Sequence, residues 1–71
     1  MTKRRDIIKR IRQGAKDADV DVREIEGGRH TLLILDGLRV PVARHNEIPD
    51  LDAQNIYKEA EPKLGKDWWK K

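Results

Sequence analysis

In VDVREIEGGRHTLLILDGLRVPV, residues 20 to 42, polar and apolar side chains alternate up to Glu26, with one break at Arg23-Glu24, before a glycine pair interrupts them. An apolar run, RHTLLIL, then reaches Asp36-Gly37, and LRVPV resumes the alternation. Alternation with period two sets successive side chains on opposite sides of a strand. Two-residue Gly-Gly and Asp-Gly connections suit type I′ turns, whose central positions both need positive φ. The segment therefore predicts a three-stranded antiparallel meander, with Gly27 and Gly28 as its first turn.

Turn length fixes register, and register fixes faces. Counting back from Gly27-Gly28, Ile25 meets His30, Glu24 meets Thr31, Val22 meets Leu33 and Val20 meets Leu35. Across Asp36-Gly37, Leu35 meets Leu38, Leu33 meets Val40, Thr31 meets Val42 and His30 meets Ala43. The aliphatic residues Val20, Val22, Leu33, Leu35, Leu38, Val40 and Val42 then share one face, the expected core side. His30 falls on the other face, with Ile25, Leu32, Ile34, Arg23, Arg39 and Pro41, and His45 lies diagonal to it at roughly 7–8 Å. Arg29 and Arg44 stand across from each other at the sheet's end, projecting opposite to His30. An open apolar face on so small a domain invites a cover, either a partner or the chain's own Trp68-Trp69 tail.

Outside the meander, KRRDIIKRIRQGAKDA, residues 3 to 18, spaces Ile7, Ile8, Ile11, Ala15 and Ala18 as the single stripe of an amphipathic helix, with Thr2 as its cap. Residues 50 to 64 place Leu51, Ile56, Tyr57, Ala60 and Leu64 on one face of a second helix, capped by Asp50 or Asp52 and weakened near its end by Pro62. The expected fold is a single α+β domain over residues 1 to 71, ordered α-β-β-β-α, with both helices on one face of the sheet. The charged content of 41% exceeds the hydrophobic 37%, and there is no Phe, so the core is thin and aliphatic.

The absence of cysteine removes disulfides and thiolate metal sites, and two histidines make a structural zinc improbable. No metal or cofactor is expected. The chain has no apolar run near the ~18 residues of a membrane span and no signal-peptide pattern, which points to a cytoplasmic protein. Charge is segregated: residues 1 to 16 hold seven Lys or Arg against Asp6. That basic start suits a polyanion, with Lys3, Arg4, Arg5, Lys9 and Arg10 as candidate phosphate contacts.

KRRDIIKRI at the start, the Gly-Gly-x-His element at 27 to 30, VPVARHNEI and AQNIYKEAEPKL resemble the HicA toxins of bacterial toxin–antitoxin pairs, over residues 3 to 65. Arg29 stands where many members carry Ser or Asn, and Ala43 where relatives often carry Pro. The resemblance implies a small α-β-β-β-α domain related to double-stranded RNA-binding domains. It also implies cleavage of messenger RNA, a catalytic histidine at His30, and neutralisation by a HicB antitoxin.

The chemistry can be posed independently. Metal-free RNA cleavage uses the 2′-hydroxyl as nucleophile, so the protein must take its proton, stabilise the charged phosphorane and protonate the leaving 5′-oxygen. An imidazole is suited to both transfers near neutral pH. His30 is the candidate acid or base, and Arg29 and Arg44 are the candidate cations, with Arg39 as a third choice. His45 is the candidate second proton-transfer group. The expected antitoxin surface is the open face, with Ile25, Leu32, Ile34 and Arg39. The alternatives are a non-catalytic RNA-binding module and a protein-interaction domain. Thr2 and Thr31 offer no triad, and the acids are too scattered for a metal-dependent nuclease.

Overall fold

The computed structural model describes residues 1 to 70; Lys71, part of the basic tail, lies outside the described residues. The elements run β1 (Thr2–Lys3), α1 (Arg4–Asp17), β2 (Val22–Glu26), β3 (His30–Leu35), β4 (Leu38–Ala43), β5 (Glu47–Ile48) and α2 (Asp50–Leu64), followed by a 3-10 turn at Trp68–Lys70. Strands β2, β3 and β4 form an antiparallel sheet in that order, and the α+β fold is as expected. Leu33, Leu35, Val40 and Val42 are fully buried on its inner face, against Ile7, Ile11 and Ala15 of α1 and Ala53, Ile56, Tyr57 and Ala60 of α2. No helix among the described residues is long and apolar enough to cross a membrane.

The Asp36-Gly37 turn has φ of 49° and 92° at its two centres, as type I′ requires, and all four expected β3–β4 pairs form, from Leu35–Leu38 to His30–Ala43. The first hairpin differs. Val22 pairs with Leu35, Glu24 with Leu33 and Ile25 with Leu32, so β2 is displaced by two residues from the expected register. Gly27 donates its N–H to the His30 carbonyl at 2.9 Å, which makes Gly28 and Arg29 the central pair. An even slip preserves side-chain parity, so the core face survives although each expected partner of β2 changes. Val20 falls outside β2 and is half-buried at the margin of the core.

Both helices start without a side-chain cap. Thr2 lies in β1 instead of capping α1, pairs with Ile48 and donates its hydroxyl to Asp50 at 3.0 Å. Lys3 takes the cap position of α1, and Pro49 takes that of α2. Asp50 and Asp52 occupy the first turn of α2, where negative charge favours the positive end of the helix dipole. Ala18 is exposed, just past the end of α1. Leu51 is 74% exposed, and Ala53 fills the position on the core stripe expected for it. Pro62 lies within α2, which continues to Leu64 and ends at Gly65.

The tail settles on the helices and leaves the open sheet face uncovered. Trp68 packs edge-on to Tyr57 at 5.6 Å between ring centroids, and Trp69 stacks on it at 5.7 Å. Trp68 donates its indole N–H to the Tyr57 carbonyl at 3.0 Å, and Trp69 donates to Glu61 at 3.2 Å. Gly14 makes this docking possible, because a Cβ there would lie 2.8 Å from two Trp68 ring carbons.

Candidate functional site at the head of the central strand

The Arg29-His30 end of β3 is built by the Gly27–Arg29 connection and by the pairing of His30 with Ala43. A Cβ on Gly27 would come within 2.8 Å of the His30 carbonyl oxygen, so glycine is required for this close approach. Gly28 has open space around its Cβ position, so its role in the turn is not steric. His30 is exposed, while Thr31, the next residue, is fully buried on the inner face.

His30 and His45 line the same two hollows. One, of about 250 Å³, lies between the β4 edge and α2, where Pro41 and Ile56 provide apolar wall and Glu47, Asp52 and Glu59 provide carboxylates. The other, of about 370 Å³, brings His30 and His45 together with Arg29, Ala43 and Arg44. The structure thus gathers His30, His45, Arg29 and Arg44 at one end of the sheet. Arg39, exposed on β4 four residues upstream of Ala43, is paired with Ile34 and lies away from this gathering. Among the described residues, no group of three or more His, Asp or Glu side chains is placed to hold a metal ion.

Arg44 is anchored. Its guanidinium donates to the Gly27 carbonyl at 2.7 Å and lies 3.4 Å from Glu26. On the inner side, Arg4 donates to the Thr31 hydroxyl and lies 3.8 Å from the same Glu26, whose carboxylate also accepts from Thr31 at 3.3 Å. Glu26 therefore ties the start of α1 to the β2–β3 hairpin and to the β4–β5 loop. A shared carboxylate of this kind holds both arginines near the histidine end while offsetting part of their charge.

The candidate phosphate contacts separate. Arg5 and Lys9 are exposed on the outer side of α1, beside a groove of about 410 Å³ that runs along this helix. Arg4 is half-buried and committed to Thr31 and Glu26. Arg10 turns the other way, with its guanidinium carbon 5.6 Å from the Tyr57 ring centroid, a cation–π contact that braces α1 against α2. Lys3 lies in β1, paired with Glu47. The same groove also contains Arg12 and Lys16, which belong to the seven cations of residues 1 to 16 but not to the expected phosphate contacts. Their signal was in the spacing, since 5, 9, 12 and 16 recur at three and four residues and share a helix face.

Arg12 donates to Glu24 at 2.9 Å across this groove. That hydrogen bond is the main reason the Glu24 carboxyl titrates below its ordinary value, against a smaller opposing effect of burial. Sequence reasoning also missed Asp52, Asn55 and Glu59, whose helical spacing turns one face of α2 toward the histidine hollow. On the outer sheet face, Ile25 is 48% exposed, and Leu32 and Ile34 are half-buried between the exposed Arg23, Arg39 and Pro41. Comparison with protein-family models, curated proteins and solved structures finds no match for this chain.

Proposed function

We propose that this chain is a HicA-like toxin that cleaves messenger RNA without a metal, with His30 as general acid or base. The observation that carries the reading is the convergence of His30, His45, Arg29 and Arg44 on one hollow, with His30 exposed at a strand end. In the proposed reaction one imidazole takes the proton of the 2′-hydroxyl, and the 2′-oxygen attacks phosphorus. The bond to the 5′-oxygen breaks, and that oxygen leaves with a proton from the second imidazole. The products are a 2′,3′-cyclic phosphate and a 5′-hydroxyl. Arg29 and Arg44 balance the charge that builds on the equatorial oxygens. Glu26 and the Gly27 carbonyl hold Arg44 in place, so little reorganisation is needed. A HicB-like antitoxin would neutralise the protein by covering the open face at Ile25, Leu32, Ile34 and Arg39, with His30 beneath it.

The experiment is cleavage of single-stranded RNA in excess chelator by the native chain and by His30→Ala. General acid–base catalysis contributes about 10²–10⁴-fold, so His30→Ala should lose activity on that scale while retaining RNA binding. A second reading, a non-catalytic RNA-binding module, draws on the carboxylates of Glu47, Asp52 and Glu59 in the hollow between β4 and α2, which oppose a scissile phosphate beside the histidines. It predicts binding without cleavage by either protein.

A further inference from the structure

The three hollows at this end of the molecule are joined by shared walls. The histidine hollow and the one beside β1 both use Glu47, and the hollow beside β1 shares Arg4 and Arg5 with the α1 groove. Among the described residues lining that groove, five are basic and Glu24 is the one acid, already bound by Arg12. Arg5, Lys9 and Lys16 form no ion pair within the described residues, so their charge is available to a ligand. From Arg4 to Lys16 the helix advances about 18 Å, enough for on the order of five phosphates at the axial spacing of a nucleic-acid strand.

We infer that the α1 groove is a track for the sugar-phosphate backbone of the RNA, running from the histidine hollow past β1 to Lys16. This rests on the proposed RNA substrate. A strand cut at His30 leaves one flank lying over Arg5, Lys9, Arg12 and Lys16, so affinity grows with the length of that flank and sequence matters little along it. A polyanionic backbone fits better than an acidic protein segment because the free cations follow one helix line, at Arg5, Lys9 and Lys16, with few apolar side chains between them.

The test measures salt-dependent binding of uncleavable 2′-O-methyl RNA, about 20 nucleotides long, to the native chain and to Lys9→Gln/Lys16→Gln. Single-stranded binding loses about 0.7 of its log–log salt slope per neutralised contact, so the double variant should flatten the slope by about 1.4. A short RNA of about four nucleotides, which spans the histidine hollow alone, should bind both proteins equally. Lys58→Gln/Lys66→Gln, at positions outside all three hollows, removes the same charge elsewhere and should keep the native slope. The track is overturned if Lys9→Gln/Lys16→Gln keeps the native slope, if the control pair flattens it equally, or if the native chain does not retain the long RNA at low salt. Cleavage by the native chain with an unchanged slope would remove the track and leave the ribonuclease reading; a flattened slope without cleavage would do the reverse.

Discussion

The two faces of the central sheet are made from the same strands and similar aliphatic residues, yet they do different work. Inside, Leu33, Leu35, Val40 and Val42 are sealed beneath the helices; outside, Ile25 is 48% exposed and Leu32 and Ile34 are only half-buried. The inner face holds the fold together through burial of apolar area. The outer face contributes little to stability and leads directly to His30. Stability and candidate chemistry are thus separated by the pleat of one strand, with Thr31 buried beside the exposed His30.

The sharpest way to break that contrast is to delete volume on each face in turn. Leu33→Ala should cost about 2–5 kcal/mol, and in so small a domain that approaches the whole stability; Ile25→Ala should change it by no more than about 0.5 kcal/mol. Urea midpoints of the two variants check this, and comparable losses would mean the outer face is part of the core. Next in size are the glycines of the first hairpin. Gly27→Ala forces a methyl onto the His30 carbonyl and should lower the thermal midpoint and disturb the His30 ring signals by NMR, whereas Gly28→Ala, with space around it, should do neither.

A smaller effect is expected at Gly14. An alanine in a helix interior normally gains about 1 kcal/mol over glycine, but here it meets the Trp68 ring. Gly14→Ala should therefore bring none of that gain and should shift tryptophan emission to the red as the tail lifts from α1. The smallest effect concerns pH. Because Arg12 holds the Glu24 carboxyl below its ordinary value, the pair's contribution is present above the ordinary carboxylate range and is lost as pH falls through the lowered one. Arg12→Gln should thus lessen the acid-side decline of thermal stability and leave the slope near neutral pH unchanged.

These elements differ in how plainly the sequence states them. Asp36-Gly37 demands one turn type, so the β3–β4 register follows by counting and brings His30 opposite Ala43. The glycine pair misleads because Gly27 serves a close approach and not a turn centre, which displaces β2 by two residues. Two-residue strands have no periodicity, so the β1–β5 ribbon leaves no trace in the pattern. At the site, the open face and the position of His30 are legible from parity, while the burial of Arg4 under Glu26 and Thr31 depends on a long-range contact that a basic run conceals. Leu51 and Ala53 exchange places because both fit a helical stripe at its first turn, and only the course of the chain out of β5 selects between them.

In the proposed reaction the two histidines make a proton-transfer pair for attack by a 2′-hydroxyl. Its most direct test is identification of the ends left on RNA cut by the native chain in excess chelator, set beside His30→Ala and His45→Ala. Cyclic phosphate and 5′-hydroxyl ends from the native chain, with cleavage lost in His30→Ala, are the predicted result. Ends bearing a 5′-phosphate, or full activity in His30→Ala or in His45→Ala, would contradict it.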